Sequence, residues 1–190
     1  MNCYEMYEHH YNEVSDINEH LPVLYSASLK CKHITEFGVR SVVSTWAFLA
    51  AKPEKVISYD ISEHANIRPT INLTKRDGIN FEFRIGDTRK LNIEPTDMLF
   101  IDTLHTYKQL TIELNRHHKQ VNKYIIMHDT TTYGTRDEND SYHLDPINID
   151  QNKQGLRTAI DDFVYINTEW KIKYVFENNN GLVVLERQKI

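Results

Sequence analysis

Between residues 33 and 129 the chain repeats one pattern: a short apolar run that stops abruptly on glycine, aspartate or histidine. The runs are "HITEFG" (33–38), "KVISYD" (55–60), "NFEFRIGD" (80–87), "DMLFID" (97–102) and "KYIIMHD" (123–129). Their length and β-branched or aromatic content predict strands. Helical segments lie between them. "STWAFLAAK" opens with Ser44 as the expected N-cap, and "SEHANIRPTINLTKRDG" is expected to start at Ser62 and close on Gly78, with a kink or break at Pro69. "YKQLTIELNRHHKQV" places Leu110, Leu114 and Val121 on one face and His117 and His118 on or near the wet side. Strands alternating with helices predict a parallel sheet covered on both faces.

The C-terminal part departs from this alternation. After a helix, "GLRTAIDDFVYI", come two strand patterns, "WKIKYVFE" and "GLVVLERQ", joined by "NNNG". Asn-Gly favours a hairpin because both residues tolerate positive φ. The expected architecture is therefore α/β: a Rossmann-like, doubly wound, mostly parallel sheet that ends in an antiparallel hairpin. Residues 1–32 precede the first strand. They read as an N-terminal helical segment covering the sheet edge, ahead of a Rossmann-like domain over 33–190; closing over a substrate is the second reading for this segment. Residues 130–154 are polar and without period, and leave the end of the fifth strand. A lid over the site is one reading of that loop and a surface insert is the other. No repeat or linker divides the chain.

Composition narrows the class. A chain of 190 residues, 40% hydrophobic and 26% charged, suits one globular domain. A formal net charge of −5 argues against a broad nucleic-acid footprint. Cys3 and Cys31 form neither a disulfide framework nor a zinc motif, which suits a reducing compartment. The first residues lack the apolar core of a signal peptide, and no stretch is long and apolar enough to span a bilayer. The expected setting is cytoplasmic. Abundant Asn, Lys, Ile and Tyr with scarce Gly and Ala is the bias of an AT-rich genome, as in some viruses and parasites. Homo-oligomerisation is left open.

The polar strand ends carry the chemistry. In an open α/β sheet, ligands bind beyond the carboxyl ends of the strands, where the strand order reverses. A pyrophosphate cofactor would need a glycine-rich first loop. In "EFGVRSVVST", Gly38 stands alone beside Arg40 and Val42, which is too bulky for a dinucleotide. Asp60 ends the second run 22 residues after Gly38, close to the ~20-residue spacing at which an acid meets ribose hydroxyls. Gly86-Asp87 ends the third run, within reach of an adenine. Together these favour an adenosine-bearing ligand without a diphosphate. Asp102 ends the fourth run and His105 follows; an unpaired carboxylate is too costly to bury, so Asp102 needs a cation or hydrogen-bond donors.

The series "TEFGVRSVVST", "ISYD", "IGD", "LFIDTLHTY" and "IIMHD" resembles class I S-adenosylmethionine-dependent methyltransferases over roughly residues 33–130 and the terminal hairpin. More narrowly it is similar to the metal-dependent O-methyltransferases, the group of catechol O-methyltransferase and the macrocin and cephalosporin-hydroxylase-like enzymes. The resemblance implies S-adenosyl-L-methionine as cofactor and methyl transfer to a hydroxyl of a small molecule or sugar. It implies Glu36 and Gly38 at the methionine moiety, Ser44 near its carboxylate, Asp60 on the ribose and Asp87 beside the adenine. Asp102 would serve cofactor site, catalysis and metal together, with Asp129 and His128 completing the metal ligands. Mg²⁺ favours oxygen ligands, whereas a histidine tilts the choice toward Mn²⁺, Fe²⁺ or Zn²⁺. His128 as a supporting or core histidine stands as an equal reading. His105 would be the general base, with capping of its own helix as the alternative; Tyr107 reads as packing. Val42 stands where the family usually has glycine.

Two further functions compete. A nicotinamide-dependent oxidoreductase shares the fold and the acid at strand two but would need the absent glycines. A catalytically degenerate methyltransferase fold that binds cofactor or a partner finds its support in Val42, against the joint presence of Asp102, His105 and Asp129.

Overall fold

The computed structural model describes residues 1–138, 150 and 152–188. Seven strands form one sheet: β1 (His33–Phe37), β2 (Lys55–Asp60), β3 (Phe81–Ile85), β4 (Thr96–Ile101), β5 (Val121–His128), β6 (Trp170–Phe176) and β7 (Leu182–Arg187). Their spatial order is β3-β2-β1-β4-β5-β7-β6. The first five pair in parallel, while β7 enters antiparallel between β5 and β6. The expected doubly wound sheet with its terminal hairpin is what forms. Hairpin chemistry accounts for the last two strands: Asn179, Asn180 and Gly181 all have positive φ in the turn.

Among the described residues, six α-helices flank the sheet: α1 (Cys3–Asn12), α2 (Leu21–Ser28), α3 (Val43–Ala50), α4 (Ile67–Arg76), α5 (Tyr107–His117) and α6 (Leu156–Ile166). One apolar cluster joins α1 to α4 to one face of the sheet, with Leu24, Phe48 and Ile67 packed with Ile34 and Phe100. The other sets Leu110 and Leu114 of α5 and Ile160 and Phe163 of α6 against Leu99 and Ile125. The N-terminal segment thus covers a face of the sheet rather than its edge, because Leu21 and Leu24 join the first cluster. No helix among the described residues is long and apolar enough to cross a membrane.

Four local expectations are corrected. Ser44 is not an N-cap: α3 starts at Val43, its N-cap Val42 is left-handed at φ 76, and the Ser44 hydroxyl turns to a buried carboxylate instead. Helix α4 starts at Ile67 rather than Ser62, so Pro69 lies in the first turn, where its missing N–H has no intrahelical partner to lose, and no kink is needed. His117 and His118 are buried, not wet; His117 Nε2 donates to the Thr88 carbonyl at 2.7 Å and packs edge-on to Phe37. Val121 opens β5 and is not part of α5. Gly78 behaves as expected, closing α4 at φ +70 with the Ile79 N–H returned to Thr74 O at 2.9 Å. Of the expected lid over 130–154, residues 139–149 and 151 lie outside the described residues.

Candidate active site

Strand order reverses between β1 and β4, so the loops leaving these two strands part and open a crevice. A cavity of about 530 Å³ fills it, walled by Gly38, Ser44, Asp60, Asp87, Asp102, His105 and Asp129. The two strand tips touch behind it. The Asp102 N–H donates to Phe37 O at 2.9 Å, and a Cβ on Gly38 would lie 1.9 Å from the Asp102 carbonyl oxygen. Only glycine fits, and its φ of +81 suits it as well.

The first loop, 38–42, is strained. Arg40 and Val42 both carry positive φ, 42 and 76, and a β-branched residue there is a true outlier. The Val42 side chain is fully buried in the α1–α4 cluster, so it takes no room from the cavity. Asp60 holds this loop: its Oδ2 accepts from Val39 N (2.8 Å) and Arg40 N (3.1 Å), while its Oδ1 accepts from Ser62 N (3.2 Å). Asp87 is gripped by Arg89 through Nε (2.9 Å) and Nη2 (2.8 Å), which holds its carboxyl below the usual range.

Two acids stand behind the walls. Glu36 is fully buried and accepts from Ser44 Oγ (2.6 Å), Thr45 Oγ1 (2.8 Å) and Ser58 Oγ (2.5 Å). Glu113 is equally buried and accepts from Thr88 Oγ1 (2.5 Å), Gln109 Nε2 (2.7 Å) and Thr103 Oγ1 (2.9 Å). Burial outweighs these donors and pushes each acid up to about 7. A folded pKa raised above its unfolded value adds stability below about pH 4.5, and that stability is lost as pH rises through 7. The Tm is therefore expected to fall between pH 5 and pH 8, and Glu113→Gln, which cannot ionise, should remove part of that fall. A mutant with the wild-type slope would show that Glu113 does not titrate in this window.

The chemistry converges at the tips of β4 and β5. His105 Nε2 lies 3.2 Å from Asp102 Oδ1 and 3.0 Å from Asp129 Oδ2, and Nδ1 lies 3.0 Å from Glu138 Oε2. Its ring stacks on Tyr133 with centroids 4.8 Å apart. His128 approaches from below: Nε2 donates to Asn179 O at 3.1 Å, leaving Nδ1 3.2 Å from Asp129 and 3.6 Å from Asp102. Burial disfavours charge on both rings, but the two carboxylates outweigh it and raise both histidines well above the usual range. A cation held between those carboxylates would offset their charge and lower both rings, so that His128 Nδ1 could ligate and His105 could accept a proton. The rings in turn outweigh burial and hold Asp102 and Asp129 below theirs.

These residues fit a divalent cation. Asp102, His128 and Asp129 each offer a ligand atom within 4.8 Å of the others, the one such cluster found among the described residues. His128 Nδ1 is buried and meets neither carboxylate in hydrogen-bonding geometry; protonated, it pairs with Asp129 at 3.2 Å, and neutral, it has no partner. The neutral nitrogen is costly to leave unmatched, and a cation between the carboxylates would replace the proton and satisfy it.

No protein-family profile matches this sequence, and no curated protein does. Shape is more informative. The S-adenosylhomocysteine-bound methyltransferase PaMTH1 of Podospora anserina superposes with a TM-score of 0.61 at 16% identity, over 98% of this chain and 88% of that one. The PH0226 protein of Pyrococcus horikoshii gives 0.62 at 16% identity, covering 94% and 93%. A putative caffeoyl-CoA O-methyltransferase of Staphylococcus aureus gives 0.59 at 14%, covering 88% and 82%. The fold is the Rossmann-like methyltransferase fold.

Within this fold, most residues singled out from sequence meet at one cavity. Glu36 is one exception, fully buried behind Ser44. His128 also stands off the wall, behind Asp129. His105 does not cap α5; Thr106 does, accepting from Gln109 N at 3.1 Å. Tyr107 packs, donating its hydroxyl to Asp162 at 2.8 Å. Sequence reasoning missed Glu138, Glu113 and Asn179. Glu138 lies in an aperiodic loop and had no signal. Glu113 had one: it shares the helical face of Leu110, Leu114 and His117, where an acid is out of place.

Proposed function

We propose that this protein is an S-adenosyl-L-methionine-dependent methyltransferase acting on a hydroxyl of a small molecule or sugar, with Mg²⁺ or Mn²⁺ as helper. The observation that carries this reading is the Asp102–His128–Asp129 cluster, with its unmatched Nδ1, beside His105 at the edge of a cavity of ligand size. When bound, the cofactor supplies an electrophilic methyl group and the cation draws in and acidifies the accepting hydroxyl. Asp60 Oδ1 is placed to accept from ribose hydroxyls, and Asp87 flanks the adenine end. Asp102 and Asp129 would supply the charge to hold the cation, and His128 would add a nitrogen. With a cation offsetting the charge of Asp102 and Asp129, His105 would be neutral, and its Nε2 would take the proton the acceptor loses. A hydroxyl acceptor agrees with the metal cluster, and the N-terminal domain of EvdMO1, a structural neighbour with a TM-score of 0.55, was crystallised in the presence of S-adenosylhomocysteine and D-fucose.

Calorimetry and thermal shift test the reading. S-adenosylhomocysteine should raise the Tm and NAD should not. Asp60→Ala should weaken S-adenosylhomocysteine at least tenfold, since a charge-assisted bond contributes about 1.5–3 kcal/mol. Stronger binding of NAD would point to an oxidoreductase. For the cation, His128→Asn sets an oxygen near the Nδ1 position, while His128→Gln reaches instead toward Nε2 and Asn179. Mn²⁺ should therefore bind the Asn variant more tightly than the Gln variant, and the reverse order would exclude Nδ1 as ligand.

A further inference from the structure

Antiparallel insertion of β7 sets Leu182 opposite His128, which brings the turn at 178–181 to the carboxyl end of β5, level with the cation cluster. Three of its residues are left-handed, Asn179 at φ 45, Asn180 at φ 70 and Gly181 at φ 96. Asparagine and glycine adopt that conformation most readily. A Cβ on Gly181 would come within 2.3 Å of Thr131 Oγ1, so the turn lies tight against the start of the loop after β5.

The turn bonds in three directions. Toward the loop, Asn180 O accepts from Thr131 N (2.8 Å) and Thr132 N (3.1 Å). Toward the N-terminal segment, Asn179 Nδ2 donates to Ser15 O (2.9 Å), and Asn179 Oδ1 accepts from Glu19 N (3.0 Å). His20 Nε2 donates to Asn178 O at 2.9 Å, and the His20 ring stands edge-on to His128 with centroids 5.5 Å apart. Toward the site, Asn179 O meets His128 Nε2 at 3.1 Å. A carbonyl only accepts, so Nε2 carries the hydrogen and Nδ1 is the atom turned to Asp102 and Asp129.

We propose that the Asn178–Asn180 turn positions the cation site, with Asn179 as its positioning residue. The Asn179 carbonyl sets the tautomer and tilt of His128. The Asn179 side chain ties that carbonyl to segment 15–20 through Ser15 and Glu19. Outer partners of this kind orient the ligands that touch a metal, and losing one costs about 10–100-fold in metal affinity. The inference rests on the cation reading given above.

The test uses the full chain and Mn²⁺ alone, with free ion followed by electron paramagnetic resonance. Asn179→Gly keeps the left-handed backbone and the carbonyl but removes both side-chain bonds. Mn²⁺ affinity should fall about tenfold or more, while S-adenosylhomocysteine affinity stays within about twofold. Asn179→Asp keeps the acceptor for Glu19 and loses the donor to Ser15, so it should fall in between. Wild-type Mn²⁺ affinity in Asn179→Gly with only a lower Tm would overturn the proposal, and should that variant not fold, unchanged affinity in Asn179→Asp would do so. A wild-type protein that binds S-adenosylhomocysteine but no Mn²⁺ overturns the cation reading itself, and this proposal with it.

Discussion

His105→Ala is expected to lower kcat by roughly 10²–10⁴-fold, the range for losing a positioned general base, with S-adenosylhomocysteine affinity nearly unchanged. His105 Nε2 lies within 3.2 Å of both carboxylates of the candidate cation site, and the ring is braced by Glu138 and by stacking on Tyr133. A base must reach the acceptor oxygen, and that oxygen belongs beside the cation. The measurement needs an acceptor, found by screening hydroxyl compounds with S-adenosyl-L-methionine. His105 also ties Glu138 through Nδ1, so a purely structural histidine would lower the Tm and change KM with kcat. A folded His105→Ala protein with wild-type kcat on a confirmed acceptor would leave the metal and positioning to do the work.

Gly38→Ala should be the most destabilising of the glycine-to-alanine substitutions. Its Cβ would sit 1.9 Å from the Asp102 carbonyl, a backbone atom just past the neighbouring strand that cannot turn aside, and it must also adopt φ +81. Forcing β1 and β4 apart and straining the backbone together cost on the order of 3–5 kcal/mol. For a domain of this size that is roughly a 6–20 °C fall in Tm. Gly78→Ala is the control, because Gly78 has φ +70 but nothing within 4 Å of its Cβ position. It should lose only the conformational part, about 1 kcal/mol. Equal losses in the two variants would deny the close approach of the strand tips. Cofactor affinity should drop only in Gly38→Ala, since the tips of β1 and β4 form the cavity floor.

The sheet was legible because buried parallel strands are mostly apolar and change to polar residues where they reach the crevice. That one rule placed Gly38, Asp60, Asp87, Asp102 and Asp129 at strand ends, and the Asn-Gly turn announced the hairpin. Local rules failed where burial overrode them. Ser44 looked like a cap, but a buried carboxylate on Glu36 offered its hydroxyl a stronger partner than a helix N–H. His117 and His118 looked wet because histidine is polar, yet the Thr88 carbonyl and the rings of Phe37 and Phe163 receive them inside.

Sequence alone determined the alternation of elements, the class of fold and the acids at the strand ends, because each depends on periodicity within a few residues. Only the tertiary structure decided which groups meet. Glu138 reaches His105 from 33 residues away, Glu113 gathers hydroxyls from two separate loops, and the Asn179 carbonyl meets His128 from 51 residues away. No spacing encodes such contacts. They arise because β7 threads antiparallel beside β5 and because buried polar groups, costly when unpaired, select whatever partner the packed chain brings within reach.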